Sequence, residues 1–182
     1  MSLTDSDLIA RVLACDDQHA YGELVRRYQS PVRGFIMRLT RGDTHLADDI
    51  AQETFVRAWR KLHTWRGGSR FSTWLFSIAY HEFCKVARKA APPPCDSSEP
   101  PHEQEQTGDS PDTSARIDLP AALSQLRPDE RAAIVLCCQN GLSHEEAAQV
   151  LNCPLGTVKT NVLRGKEKLR KLLYEYRDAR TA

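Results

Sequence analysis

A stretch rich in proline, serine and acidic residues interrupts the chain near its middle and limits the folds open to it. Residues 91–116 hold six acidic residues against one basic residue, and almost no large apolar side chain. A segment of this composition buries too little apolar surface to offset the entropy of ordering it. We therefore predict a flexible acidic linker between two modules, residues 1–90 and 117–182, each the size of one small domain.

Both modules show the spacing of helices and lack the alternation of strands. In residues 18–40, Tyr21, Leu24 and Val25 begin an apolar face that continues at steps of three and four residues, as one side of a helix does. The predicted fold class is all-α, with two small helical domains joined by the acidic linker. The predicted helices lie near residues 5–15, 18–40, 45–63, 70–89, 118–126, 128–140, 143–151 and 155–175.

Charge and hydropathy indicate in which compartment of the cell the protein lies. Residues 1–90 hold 14 Lys and Arg against 10 Asp and Glu, and residues 117–182 hold 10 against 8, so the net charge of +1 hides two basic modules beside an acidic linker. No apolar run approaches the ~20 residues of a membrane span. The N-terminus lacks the basic and apolar regions of a signal peptide. We expect a cytoplasmic protein without membrane insertion.

Motifs for catalysis and metal binding are missing from the sequence. It has no glycine-rich phosphate loop, nucleophile motif or metal-ligand set, and its six cysteines form no CxxC pair. His81 and Cys84 could share one face of a helix, but two ligands do not make a metal site. We therefore expect no catalytic residue, no metal, no cofactor and no enzymatic activity.

The C-terminal module has the pattern of a helix-turn-helix. Ser143 and Glu146 have the spacing of a helix-capping box, and residues 152–154 predict a short turn. A long helix follows, with six basic residues and one acid between 157 and 173. In this motif the second helix enters the major groove of DNA, where Lys and Arg neutralise phosphates and Asn and Arg also read base edges. The simpler alternative is a solvated basic face.

The run NCPLGTVKTNVLRGKEKLRKLL (152–173) resembles region 4 of the extracytoplasmic-function (ECF) sigma factors, group 4 of the sigma-70 family. With the preceding residues 123–151, the resemblance covers the C-terminal module. Asn161 and Gly165 stand where the family often has Arg and Ala; Gly165 lies on the apolar stripe, where it allows close approach of a neighbouring helix. The resemblance implies recognition of the −35 promoter element. The residues implied to contact this element are Thr157, Lys159, Thr160, Asn161, Arg164 and Lys166.

The run DTHLADDIAQETFVRAWRKL (43–62) resembles region 2 of the same family. There the matching surface docks on the basic clamp helices of the largest polymerase subunit, and an acidic patch can orient such a contact by charge complementarity. The implied partner is core RNA polymerase, with its β and β′ subunits. A soluble acidic face is the simpler alternative. The implied docking residues are Asp48, Asp49, Gln52 and Glu53.

The next run, WRGGSRFSTWLFSIAYHEFCKVARK (65–89), resembles the family segment that captures an unstacked base of the −10 element. Aromatic side chains offer stacking surfaces, arginines can meet phosphates, and the two glycines let the backbone approach a single strand. Tyr80 and His81 replace the family's usual Arg-Asn. The residues implied to contact the −10 element are Trp65, Arg66, Ser69, Arg70, Phe71, Trp74, Tyr80 and His81.

Together the two resemblances predict an ECF sigma factor, which binds core polymerase and directs it to promoter DNA. The resemblance also implies an anti-sigma partner that covers the polymerase-docking surfaces. The alternative function is a two-domain helix-turn-helix regulator that binds DNA without polymerase. That alternative explains the C-terminal module but leaves the region 2-like module without a role.

Overall fold

A computed structural model of the protein describes residues 3–90 and 119–178, with side chains as far as residues 89 and 173; the predicted linker at 91–116 lies outside the described residues. Every element of secondary structure in the described ranges is helical, which confirms the all-α fold. No helix described there is both long and apolar enough to cross a membrane. The helices are α1 (Asp5–Cys15), α2 (Gln18–Leu39), α3 (Thr44–Lys61), α4 (Phe71–Ala90), α5 (Leu119–Ser124), α6 (Pro128–Ile134), α7 (His144–Leu151) and α8 (Leu155–Asp178).

Side-chain caps fix where several helices begin. Thr4 and Asp7 form a capping box at the start of α1, and the Asp17 carboxylate accepts two backbone N–H bonds at the start of α2. The box predicted for α7 is present: the Glu146 N–H donates to Ser143 Oγ at 3.1 Å, and the Ser143 N–H donates to Glu146 Oε2 at 2.8 Å. Each cap satisfies N–H groups that the first helical turn leaves unpaired.

The N-terminal domain consists of α1 to α4. Phe35 on α2 is fully buried and meets Phe76 on α4 edge to face, with ring centroids 5.4 Å apart. The Tyr21 hydroxyl on α2 donates to the backbone oxygen of Phe55 on α3 at 2.5 Å. Helix α1 packs against α2 and buries Leu8. These contacts leave the outer face of α3 and the segment between α3 and α4 at the surface.

The C-terminal domain consists of α5 to α8, with α8 packed most extensively on α6. A Cβ added at Gly165 would lie only 2.8 Å from Cγ1 of Ile134, so glycine permits this separation of the two helices. One turn further along, Lys168 Nζ lies 2.9 Å from the buried Glu130 carboxylate. Helix α6 continues into a π-helical turn, Val135–Gln139, where the sequence predicted one unbroken helix.

The two domains pack directly on each other, although their composition suggested modules separated by a linker. Helix α4 lies against α7, and α2 contacts α5 and α6. The Arg131 side chain, 2% exposed, donates to the backbone oxygens of Leu123, Ser124 and Leu126 at 2.8 Å and to that of Leu39 across the boundary at 3.3 Å. Burial lowers the pKa of its guanidinium to about 10, so it stays charged at neutral pH.

Candidate nucleic-acid and partner interfaces

The turn between α7 and α8 gives this pair the geometry of a helix-turn-helix. Asn152 ends α7 in the left-handed conformation (φ 50°), which Asn tolerates better than most residues. Val158 and Val162 on α8 are buried against the domain. The opposite face of the first turns of α8 is therefore held outward on a rigid support.

Most of the residues predicted to meet the −35 element lie on this outward face. Thr157, Lys159, Thr160 and Arg164 are exposed, while Asn161 is half-buried. Lys166 is also exposed, but it lines a groove at the domain boundary and so lies apart from the others.

Leu163 was missed by sequence reasoning, although its side chain is 60% exposed between Lys159 and Arg164 on α8. An apolar side chain in this position suits contact with a thymine methyl group. The signal was present in the sequence, because Leu163 lies off the stripe of apolar residues that α8 buries.

The acidic residues on α3 divide into paired and free positions. Asp48 binds Arg33, with Arg33 Nε 2.5 Å from Asp48 Oδ1, and these hydrogen bonds hold the pKa of the Asp48 carboxyl below its usual value. Glu53 accepts a hydrogen bond from Arg57 Nε at 2.7 Å. Asp49 is exposed.

A second side chain escaped sequence reasoning on this helix. Val56 is 44% exposed, and it lies three or four residues from both Gln52, which is exposed, and Glu53. Residues at this spacing share a helix face. The outer face of α3 therefore combines charged and amide groups, which suit the polar rim of a protein interface, with an unburied apolar group that such an interface can bury.

The segment between α3 and α4 forms one wall of a cleft. Trp65 Nε1 donates to the backbone oxygen of Ser69 at 3.2 Å, which closes the segment into a loop, and Gly67 adopts a positive φ of 75°. The cleft beside this loop has a volume of about 400 Å³. Asp5, Ser6 and Tyr28 form its other wall. Sequence reasoning missed these three because they lie about 40 to 60 residues before the loop.

The remaining residues predicted to bind the −10 element are not equally accessible. Arg66 and His81 are exposed, and Trp74 and Tyr80 are half-buried. Phe71 is only 4% exposed and packs edge to face on Tyr28, with centroids 5.3 Å apart. Phe71 was predicted as a −10 contact, but its ring belongs to the core beneath the loop and is not available to stack on a base.

Arg70 forms a contact across the domain boundary. Its Nε and Nη2 lie 2.7 Å and 2.8 Å from the two oxygens of Glu146 at the start of α7, and Thr73 Oγ1 donates to the same carboxylate at 3.1 Å. Partial burial raises the pKa of Glu146, but hydrogen bonds from Ser143, Arg70 and Thr73 outweigh it and hold this pKa below its usual value. The carboxylate is therefore ionised at neutral pH.

The two domains match, in order, the models of two regions of one protein family. Sigma-70 region 2 matches residues 24–92 and sigma-70 region 4 matches residues 116–169. The chain is 35% identical to the RNA polymerase sigma-H factor of Pseudomonas aeruginosa, over 93% of each chain. It is 34% identical to the ECF RNA polymerase sigma-E factor of Escherichia coli K12, over 92% of this chain and 93% of that one.

Solved structures agree with this assignment. The sigma factor RpoE of Bartonella quintana, solved with the anti-sigma factor NepR, is 30% identical with a TM-score of 0.67, over 85% of this chain and 96% of that one. CnrH, solved with the cytosolic domain of CnrY, is 25% identical with a TM-score of 0.68, over 94% and 97%. The alternative function, a regulator that binds DNA without polymerase, finds no support, because the chain matches both region 2 and region 4. The chain belongs to the ECF sigma factors, proteins that are not enzymes themselves but direct RNA polymerase to promoters.

Proposed function

We propose that the two domains bind different parts of the transcription machinery and promoter. Residues 1–90 dock on core polymerase and bind the −10 element, residues 117–182 bind the −35 element, and residues 91–116 connect them. The observation that carries this proposal is the first three turns of α8, whose outward face exposes Lys159, Thr160 and Arg164 next to a helix-turn-helix bend. Residues at the start of a recognition helix are the ones that reach base edges.

The proposed polymerase contact is the outer face of α3. Asp49 and Gln52 are exposed there, and Val56 adds apolar area. Asp48 and Glu53 already have arginine partners, so we assign them a smaller share of the docking energy. A free carboxylate steers a basic partner, while burial of the valine supplies affinity.

The proposed −10 contact is the cleft beside Trp65. Its volume of about 400 Å³ lies in the range of small-molecule pockets, and its walls offer an indole ring and the hydroxyl groups of Ser6 and Ser69. The Asp5 carboxylate in the same wall already accepts hydrogen bonds from Arg27 and the Tyr28 hydroxyl. A base that leaves the stack needs both a polar edge partner and a flat surface. Arg66 and Arg70 would hold the adjoining phosphates, and the buried Phe71 would support the loop from beneath.

The test is transcription in vitro with core polymerase and promoters selected from a genomic library. Arg164→Ala and Lys159→Ala should each weaken −35 recognition; a lost base contact costs about 1–3 kcal/mol at one position, whereas a lost phosphate contact weakens all sequences alike. Lys171→Ala is the matched control, because it removes the same charge from an exposed position near the described end of α8. Equal promoter use by all three variants would refute the assignment of α8.

We further propose cytoplasmic location and control by an inhibitory partner. The polymerase and DNA that sigma factors serve lie in the bacterial cytoplasm. Support for a partner comes from the two solved relatives, which are complexes, and from an apolar groove of about 500 Å³ that Leu123, Ile134 and Leu169 line at the domain boundary. Purification of the tagged chain from unstressed native cells should yield a small inhibitory protein; a fully active free pool would contradict this.

A further inference from the structure

The contact between Arg70 and Glu146 joins a residue of the proposed −10 surface to the first helix of the helix-turn-helix. The guanidinium meets both carboxylate oxygens, at 2.7 Å and 2.8 Å, a paired geometry that strengthens charge-assisted hydrogen bonds. Thr73, 2% exposed, adds a third donor at 3.1 Å. The Glu146 carboxylate therefore receives three donors from the N-terminal domain.

A carboxylate in this position occupies donors that a DNA strand would need. Arg70 lines the cleft of about 400 Å³ beside Trp65 and Ser69, where we propose that the −10 strand binds. Arginine pairs with a phosphate through the same two N–H groups that it uses for a carboxylate. Glu146 also places a negative charge beside the path of the strand, and that charge repels phosphates.

The packed arrangement is also incompatible with a promoter on geometric grounds. The −10 and −35 elements are about 25 base pairs apart, or about 85 Å at ~3.4 Å per base pair. A domain of about 90 residues has a radius of gyration of about 12 Å. Two such domains that touch through α4 and α7 cannot reach both elements, so the contact must open before initiation.

We infer that Glu146 is an internal inhibitor: in the free chain it holds Arg70 and Thr73 as a phosphate would, and so keeps the two domains together and the guanidinium of Arg70 occupied. Core polymerase releases the contact when it binds the two domains separately. The inference rests on the proposed −10 function of the loop. A second contact, from Arg131 to the backbone oxygen of Leu39 at 3.3 Å, supports the same packed arrangement at the other end of the boundary.

Glu146→Gln tests the inference with little change to α7. Glutamine also serves at this position of a capping box, so the bond from the Ser143 N–H is retained while the charge that binds Arg70 is lost. The matched control is Glu145→Gln, which removes the same charge from the neighbouring, exposed residue. If Glu146→Gln lowers the helix content, Thr73→Val takes its place, because it removes one donor to the same carboxylate.

Two measurements on the free full-length chain follow. Glu146→Gln should bind a pool of randomised 12-nucleotide single-stranded DNA about threefold to fivefold more tightly, the gain expected from losing one well-formed but partly exposed ion pair. Its radius of gyration in X-ray scattering should also rise. Glu145→Gln should change neither by a comparable amount. Equal DNA affinity of the two variants, or an unchanged radius for Glu146→Gln, would overturn the inference.

A third measurement separates this inference from the proposed function. In the holoenzyme, where polymerase holds the domains apart, Glu146→Gln should initiate transcription at the rate of the unaltered chain, and Arg70→Ala should initiate more slowly. Unaltered initiation by Arg70→Ala would count against the proposed role of Arg70 at the −10 element. Faster initiation by the holoenzyme that carries Glu146→Gln would count against the inhibitory role of Glu146 in the free chain, but not against the proposed −10 function.

Discussion

Replacement of Gly165 by alanine sets two effects of similar size against each other. Alanine favours a helix interior by about 1 kcal/mol over glycine, so substitution at an open position of α8 stabilises the fold. At Gly165, however, the new Cβ would lie 2.8 Å from Cγ1 and 3.3 Å from Cδ1 of Ile134. Ile134 is 6% exposed and has little room to move. Overpacking of this kind costs about 1–3 kcal/mol, so we expect Gly165→Ala to destabilise by up to about 2 kcal/mol.

The sign of the effect should depend on the neighbour. In an Ile134→Ala background both clashing atoms are gone, and the added methyl group partly fills the cavity that the shorter side chain leaves. Gly165→Ala should then stabilise the protein by about 1 kcal/mol, from helix propensity alone. Ile134→Ala by itself should cost about 2–5 kcal/mol, as a large-to-small change in a core does. The two substitutions therefore couple strongly, as contacting residues do.

Urea unfolding of the four chains, followed by circular dichroism, measures this cycle, and hydrogen exchange of α8 amides assigns the change to the C-terminal domain. Gly156→Ala is the internal control, since a Cβ there meets nothing within 4 Å in the same helix. If Gly165→Ala stabilises the unaltered background as much as Gly156→Ala does, the close approach of α8 to Ile134 is wrong.

Three further outcomes are expected. Asp49→Arg with Glu53→Arg should abolish binding to core polymerase in a pull-down assay and leave the helix content unchanged; normal affinity would contradict docking through α3. The depressed pKa of Glu146 means that its contact with Arg70 contributes fully above the usual glutamate value of 4.5 and is lost as pH falls through the lowered value. Scattering should therefore show the free chain opening only at pH values below 4.5; a constant radius throughout acid titration would contradict this. Replacement of residues 92–115 by a Gly/Ser segment of equal length should preserve transcription, whereas removal of most of that segment should abolish it.

The helices could be predicted because local rules agree along the chain. Ser143 and Glu146 marked the start of α7, and the glycine past the end of the preceding helix, Gly141, adopts the positive φ of 68° that such a position favours. The buried side of α8 follows its apolar spacing, with Val158 and Val162 at 0% and 5% exposure. These features depend on neighbours within four residues, which the sequence displays directly.

Contacts between distant residues could not be predicted in the same way. Arg70 and Glu146 lie 76 positions apart, and each looks like a solvated charge in its own segment. Arg131 resembles an ordinary surface arginine of a helix, yet its side chain is buried because the backbone oxygens around it satisfy the guanidinium. Phe71 comes soon after two glycines, a pattern typical of an exposed loop, but Tyr28 of α2, 43 positions earlier in the chain, packs on its ring.

The length of chain between the two domains limits how far apart they can move. With about 12 Å from each domain, a span of about 85 Å leaves roughly 60 Å to be bridged. The 28 residues from 91 to 118 can extend to about 92–101 Å at most, so the span is within reach, whereas half that length is too short. On the prediction that this segment is a flexible linker, its average reach is about 26–32 Å. Separation of the domains to the distance between the two promoter elements therefore requires free energy. The polymerase must supply it by binding both domains.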